Sequence, residues 1–254
     1  MALVLTNPFL AVEYGTSSIV AGTGDSEVEG DGTDVSASKA FRVFSQQQLA
    51  GGIEVGKRMP STKVLSQADA RPWHFQELLP SNGKWRVVIF AADVTKETQR
   101  SKLDIIGRGI AAKESFLSLF TPPGSVFDSV FDILAVHSAP RHSVDIFDFP
   151  DVFRHYDEVD GYDYAKIFAD DNSYHEGHGK MYESYHISSE GCAVILRPDQ
   201  YVSYVGPMDD IDALNQFFGG FMLSPLVKPM SDASISSGSH IMPPDSQAVD
   251  IRVA

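Results

Sequence analysis

A turn of five residues between two apolar runs is the feature that most constrains the fold of this chain. The turn reads Arg197-Pro198-Asp199-Gln200-Tyr201, and it separates the apolar residues 192–196 from the apolar residues 201–205. Proline presets φ for a tight turn, and an aspartate side chain can bond its own backbone, so local chemistry reverses the chain here. The pattern therefore predicts a β-hairpin.

A closing helix is predicted directly after this hairpin. Residues 206–210 supply a glycine, a proline and two aspartates, which are typical of a helix start. Apolar residues then recur at helical spacing on one face, at Ile211, Leu214, Phe217, Phe218, Phe221 and Met222.

Two earlier apolar runs, residues 85–91 and 131–137, have the pattern of central strands buried on both faces. Between them, Thr95 is expected to cap one long helix that continues to about residue 119, with Gly107 and Gly109 weakening its middle. A strand, a helix and a strand in this order predict a parallel crossover. With the hairpin and the closing helix, the predicted fold class is α/β, a thioredoxin-like fold with a central mixed sheet flanked by helices.

The chain is expected to divide into three regions. Residues 1–60 would form a short α+β N-terminal segment with an exposed acidic loop at 22–38, where almost nothing can be buried. The thioredoxin-like domain would span 61–223, and the proline, serine and glycine of 224–254 predict a flexible tail. Three elements are predicted within the N-terminal segment: strands near residues 10–14 and 18–21, and a helix at 39–49.

Several separated motifs resemble, in the right order, the C-terminal domain of the phenol 2-monooxygenase (phenol hydroxylase) flavoprotein family. They are residues 168–171 (FADD), 175–179 (HEGHG), 197–203 (RPDQYVS) and 217–221 (FFGGF). The upstream part of the chain is similar to the end of the flavin and substrate region of those enzymes. The similar positions are residues 7–9, Tyr14, residues 17–18 and residues 56–60 (GKRMP).

The resemblance implies a chain equivalent to the last third or so of an FAD-dependent aromatic monooxygenase. In that family the thioredoxin-like domain is implicated in subunit association, so the resemblance implies a homodimer and a non-catalytic dimerisation module. An intact flavin enzyme needs a glycine-rich βαβ turn for the FAD pyrophosphate, and Gly22-Thr23-Gly24 lacks the third glycine and the following helix. We therefore expect no cofactor on this chain alone, with FAD belonging to the full-length family.

Composition excludes other classes of partner. A formal charge of −14 and a pI near 4.8 argue against nucleic acid, whose phosphates require clustered Lys and Arg. No run approaches the ~20 apolar residues that span a bilayer, and the first seven residues lack the basic region of a signal peptide, so a cytoplasmic location is expected. The single cysteine, Cys192, excludes a Cys-x-x-Cys redox pair, and its place in an apolar strand favours burial over a reactive thiol.

The densest candidate for a metal site is His175-Glu176-Gly177-His178, with two histidines three residues apart. Gly177 and Gly179 make a regular helix unfavourable there, and no fourth ligand has a suitable spacing. We expect no metal, and imidazoles that hydrogen-bond within a loop leading to a helix at Tyr182.

Candidate catalytic residues are His137, His142, Arg141 and Tyr14, none of which belongs to a defined motif. His137 and His142 flank Pro140-Arg141 at the end of a core strand, where ligands commonly bind in open α/β sheets. The alternative function is therefore a standalone enzyme on an aromatic or polyketide-like compound, in a pocket between the N-terminal segment and the sheet. The favoured interpretation is hydrogen bonding at a strand end, and Arg197 is expected to pair with Asp199 or Asp209.

Overall fold

A seven-stranded mixed sheet forms the centre of the computed structural model, which describes residues 12–23 and 43–225. In chain order its strands are β1 (Lys63–Ser66), β2 (Pro72–His74), β3 (Trp85–Ala92), β4 (Phe131–His137), β5 (Ile167–Ala169), β6 (Cys192–Leu196) and β7 (Val202–Gly206). Across the sheet the order is β7-β6-β3-β4-β5-β1-β2.

Strand directions follow the predicted topology. β3, β4 and β5 run parallel, whereas β6 pairs antiparallel with both β3 and β7, and β1 pairs antiparallel with β5 and β2. The β6–β7 hairpin turns through Gln200, whose φ of 72° is left-handed, and Gln200 N–H donates to the carbonyl of Arg197. The crossover from β3 to β4, followed by this hairpin and a last helix, is the thioredoxin-like arrangement that the sequence predicts.

Within residues 12–23 and 43–225, four α-helices accompany the sheet: α1 (Glu97–Ala111), α2 (Phe116–Phe120), α3 (Met181–Ser184) and α4 (Ile211–Gly219). The single long helix predicted up to residue 119 is wrong, because Ala112 is extended (ψ 151°) and the Ser115 side chain starts α2 by accepting from Ser118 N–H. Thr95 does not cap α1 either; its hydroxyl donates to Asp93, at 2.6 Å. At α4 the predicted cap is present, since Asp210 accepts from Ala213 N–H at 3.0 Å.

Short elements fill the remaining connections. Single 3-10 turns lie at Gln47–Leu49, Phe75–Leu78, Arg141–Ser143, Ile146–Asp148 and Asp151–Phe153. Two-residue strands pair Gly22–Thr23 with Phe44–Ser45, Tyr156–Asp157 with Gly161–Tyr162, and Asn172–Ser173 with Gly177–His178.

The predicted elements of the N-terminal segment are largely wrong where they can be compared. Residues 12–14 form no strand, and in 18–21 only Val20 forms a bridge, with Ser17. Residues 43–49, the described part of the predicted helix, hold a short strand followed by one 3-10 turn. The side chain of Gln47 bonds the carbonyls of Ala50 and Ile53, and this local bonding fixes a compact turn in place of a helix. The predicted acidic loop, apart from Gly22 and Thr23, and nearly all of the predicted tail lie outside the described residues.

The N-terminal segment covers the β7 edge of the sheet. Ala21 N–H donates to Ser203, Gln46 N–H to Val205 and Gly56 N–H to Val202, each to the backbone carbonyl. An exposed strand edge would be free to pair with another chain, and these bonds remove that possibility along most of β7. Within the described residues, no helix is long and apolar enough to cross a membrane.

Candidate functional site

His137, the last residue of β4, is fully buried and cannot reach a ligand in solution. Gln67 fixes its tautomer: the amide nitrogen donates to the Arg141 carbonyl at 3.0 Å, so the amide oxygen faces the ring. His137 Nε2 must therefore carry the proton that it donates to this oxygen, at 2.9 Å. Burial lowers the pKa of His137 to about 4, although Asp171 and Asp93 oppose the shift. The imidazole is thus a neutral hydrogen-bonding group at a strand end.

A cleft of about 410 Å³ lies at the carboxyl ends of β4 and β5. Its lining brings together residues that are far apart in the sequence. Arg141 and His142 follow β4, Asp171 follows β5, and His175 reaches the same cleft from the next hairpin. Asp171 accepts from Arg141 N–H at 2.7 Å and Asn172 N–H at 2.6 Å, which lowers its pKa although burial alone would raise it. Its position directly after a strand that runs parallel to β4 explains why it lies beside Arg141.

Tyr14 lies elsewhere, so the predicted pocket between the N-terminal segment and the sheet does not bring it together with the candidates His137 and Arg141. Its ring packs edge-on against Tyr201, with centroids 4.8 Å apart, and beneath the Arg197 guanidinium at 4.2 Å. That hairpin turn is at the opposite end of the sheet from His137. Arg197 also pairs with Asp199, at 2.6 Å, as the sequence predicts.

The His175–His178 motif forms part of a short hairpin. His178 Nδ1 accepts from Lys180 N–H at 2.8 Å, the loop bonding that the sequence predicts, while Asp170 accepts from the first two N–H groups of α3. The described residues contain no group of three or more His, Cys, Asp or Glu side chains that could hold a metal ion.

The turn between β3 and α1 does not fit a flavin pyrophosphate. Such a turn must offer free backbone N–H groups to the phosphates. Here Ala92 N–H donates to the Tyr182 hydroxyl and Thr95 N–H to Asp93, and the Asp93 carboxylate would repel an anion. Cys192, beside this turn, is fully buried, and burial raises the pKa of its thiol, so it is not a reactive thiolate.

A cluster of partly exposed rings, the aromatic surface, was not identified from the sequence. It consists of Phe147, Tyr156, Tyr162 and Tyr164, with Tyr162 in contact with the other three rings at centroid distances of 5.4, 5.0 and 6.4 Å. Phe147, Tyr156 and Tyr164 are 55%, 55% and 50% exposed. The alternation of Tyr162 and Tyr164 after a turn glycine was the available signal, but residues 145–164 lack a regular apolar period.

Beside the aromatic surface is a cleft of about 870 Å³ with an apolar floor and an acidic rim. Ile133 and Val152 form the floor, and the rim includes Asp157, Asp160 and Asp163. Lys166 is the one lysine or arginine lining the described cleft, and it is bonded by Asp132, Asp128 and Asp163. These contacts raise the pKa of Lys166 although burial alone would lower it. The cleft therefore carries an excess of negative charge.

Comparison with solved structures finds weak likenesses to thioredoxin-like proteins. The thioredoxin domain of a thiol-disulfide oxidoreductase from Bacteroides vulgatus has a TM-score of 0.36 at 12% identity, covering 65% of this chain and 94% of that one. A putative thiol:disulfide interchange protein from Chlorobium tepidum has a TM-score of 0.39 at 10% identity, covering 64% and 94%. These scores are too low to carry an argument, so the fold assignment rests on the strand order.

Three curated relatives of this chain are named as monooxygenases. The FAD-dependent monooxygenase terD of Aspergillus terreus is 33% identical over 70% of this chain and 29% of its own length. Phenol 2-monooxygenase fsqG of Aspergillus fumigatus is 32% identical over 72% of this chain and 30% of its own length. The 3-hydroxybenzoate 4-monooxygenase of Comamonas testosteroni is 31% identical over 76% of this chain and 30% of its own length. The chain thus spans about 30% of the length of these relatives.

The family model for the phenol hydroxylase C-terminal dimerisation domain matches residues 12–226. This range includes the sheet, the four α-helices of the described residues, and the N-terminal segment from residue 12 onward. The resemblance predicted from the sequence motifs is confirmed, and the chain belongs to the phenol hydroxylase C-terminal dimerisation domain family.

Proposed function

We propose that this chain is a non-catalytic association module of, or derived from, an FAD-dependent aromatic monooxygenase, and that it forms a homodimer. The observation that carries the proposal is the match of the dimerisation-domain model to residues 12–226. The names of the relatives, which are FAD-dependent or phenol monooxygenases, supply the class of enzyme. A cytoplasmic location is part of the proposal, supported by the presence of a single cysteine.

The oligomeric state of the purified chain tests this proposal. Sedimentation equilibrium over a wide range of protein concentration should give a mass that rises from one copy to two, because mass action populates the dimer. A mass of one copy at every concentration would contradict the association role.

The absence of flavin binding is the second part of the proposal. It is supported by the β3–α1 turn, where the N–H groups of Ala92 and Thr95 already have partners and the Asp93 carboxylate opposes phosphate. After incubation with FAD and removal of unbound cofactor, the protein should show no visible flavin band. A retained band in proportion to protein would overturn this part alone.

An aromatic small-molecule ligand is a second candidate role, favoured by the cleft that holds Arg141, His142 and His175. Its volume of about 410 Å³ lies within the range of small-ligand pockets. Titration with phenol and with 3-hydroxybenzoate, followed by the NMR signals of the histidine rings, tests it. Unchanged signals at saturating ligand would remove this role.

A further inference from the structure

The cleft of about 870 Å³ beside the aromatic surface has the volume and the lining of a ligand site. Pockets for small molecules commonly enclose about 300–1,000 Å³ and combine apolar walls with a few polar groups. Ile133 and Val152, both buried, form the floor of this cleft, and Phe127 beside them packs against the same core. The floor therefore offers a surface on which the apolar body of a ligand can lie.

Aromatic rings form part of the wall of this cleft. Tyr162 and Tyr164 of the aromatic surface line it, with ring centroids 6.4 Å apart and ring planes inclined by 64°. Phe127 also lines it, and its ring stacks on that of His155 at a centroid distance of 4.3 Å. The face of an aromatic ring carries partial negative charge and attracts a cation. The wall therefore suits a positively charged ligand.

The acidic rim adds charge of the same sign. Asp157, Asp160 and Asp163 line the cleft, and Asp163 pairs with Lys166 at 3.4 Å. Among the residues that the structure describes, no lysine or arginine pairs with the carboxylates of Asp157 and Asp160. Asp157 accepts from the N–H groups of Val159 and Asp160, and these bonds lower its pKa, so it is ionised at neutral pH.

The cations of the chain near this cleft are held by other partners. The ammonium of Lys166 is bonded by Asp132 at 2.5 Å. Arg154 lies outside the lining, and its guanidinium pairs with Asp151 at 2.6 Å. The same guanidinium lies 5.7 Å from the ring centroid of Tyr162, so one ring of the cleft wall already contacts a cation. Further positive charge at the rim has to come from a ligand.

We propose that this cleft binds a small organic cation, an amine with an apolar body. Its ammonium group would meet the carboxylates of Asp157 and Asp160 and the face of the Tyr162 ring, and its apolar body would lie on Ile133 and Val152. This inference goes beyond the proposed function, because it assigns a ligand site to the module and depends neither on the oligomeric state nor on flavin.

Two probes of equal size separate charge from apolar contact. Phenethylamine is an ammonium ion at neutral pH, whereas phenethyl alcohol is uncharged. Saturable NMR shifts of the His155 ring, which lines the cleft, should accompany amine binding. The alcohol should bind with a Kd about tenfold higher or more. His142 and His175 line the other cleft and should not shift. High salt should weaken binding of the amine alone, because exposed charges are screened.

Removal of the rim charges should weaken binding of the amine and spare that of the alcohol. In the double variant Asp157→Asn, Asp160→Asn the new amide at 157 keeps an oxygen that can accept the backbone N–H groups. We expect the amine Kd to rise about fivefold or more. The matched control is Glu158→Gln, Glu114→Gln, which removes equal charge from exposed residues outside the lining and should leave this Kd unchanged. Circular dichroism confirms that each variant is folded.

Three results would overturn the proposal: equal affinity for amine and alcohol, an amine Kd that the double aspartate variant leaves unchanged, or no saturable shift of the His155 ring at millimolar amine. A lysine side chain of another protein presents the same ammonium group, and N-acetyl-lysine amide represents it. This probe lacks the aromatic body and should bind more weakly than phenethylamine; tighter binding would contradict a small-molecule ligand. None of these outcomes bears on the proposed function, which sedimentation equilibrium tests separately.

Discussion

Burial of His137 couples the stability of the domain to pH. Its pKa is about 4 in the folded protein, against 6.5 for an ordinary histidine, because the buried site disfavours the charged ring. Between these values the unfolded chain binds the proton more readily, so the free energy of unfolding decreases as the pH falls from about 6.5 towards 4. The full shift corresponds to about 3 kcal/mol.

We predict that His137→Gln flattens this part of the pH profile. Glutamine can still donate an N–H to the Gln67 oxygen but does not titrate. Urea unfolding at pH 7 and at pH 4.5 should show a smaller loss of stability for the variant than for the unmodified chain. Equal losses for the two proteins would contradict a neutral, buried His137.

Some individual residues have surroundings that the sequence did not predict. The strand of residues 85–91 was predicted as apolar, and yet Arg86 within it is fully buried. Its guanidinium donates to the carbonyl of Lys84 at 3.0 Å, to Asn82 Oδ1 at 2.7 Å and to the carbonyl of Pro80, and Asp132 lies 4.0 Å away. Pro80, Asn82 and Lys84 are close to Arg86 in the sequence, but residue types alone do not show that the turn directs all three at one guanidinium, and Asp132 reaches it only through the pairing of β3 with β4.

At the scale of elements, the apolar runs predicted β3, β4, β6 and α4 well, because each buries a continuous or periodic set of side chains. Glycine was misread in α1. Gly107 was expected to weaken the helix, whereas a Cβ built there would lie 2.4 Å from the Cβ of Pro150. Gly107 therefore allows the connection after β4 to pack directly on the helix, a contact between residues about 40 positions apart in the sequence.

This close approach reverses the usual effect of alanine in a helix. Gly→Ala within a helix normally stabilises by ~1 kcal/mol. At Gly107 the methyl group would overlap Pro150, and we expect a loss of about 1–3 kcal/mol instead. Gly219→Ala in α4 is the control, because nothing lies within 4 Å of its Cβ position, and it should be neutral or stabilising. Thermal unfolding of both variants measures these changes in stability. A stabilised Gly107→Ala variant would contradict the close packing of Gly107 against Pro150.

At the scale of the whole molecule, backbone hydrogen bonds connect the N-terminal segment directly to the sheet. The sequence predicted a domain boundary after residue 60, but sequence patterns do not show which backbone groups pair across about 150 residues. Gly56 connects the two parts. Its N–H donates to the Val202 carbonyl in the sheet, and its own carbonyl accepts from Tyr14 N–H in the N-terminal segment, at 2.9 Å. The segment should therefore unfold together with the thioredoxin-like part.

Two glycines with the same backbone conformation provide the test of this coupling. Gly56 and Gly83 have φ of 86° and 85°, so alanine strains both backbones equally, by about 1 kcal/mol. Only at Gly56 would the new Cβ overlap the carbonyl oxygen of Tyr14, 2.2 Å away, whereas Gly83 has open space. Gly56→Ala should therefore lose ~1–3 kcal/mol more than Gly83→Ala in a single unfolding transition followed by circular dichroism. Equal losses, or an early transition confined to a small part of the signal, would mean that the N-terminal segment unfolds independently of the sheet.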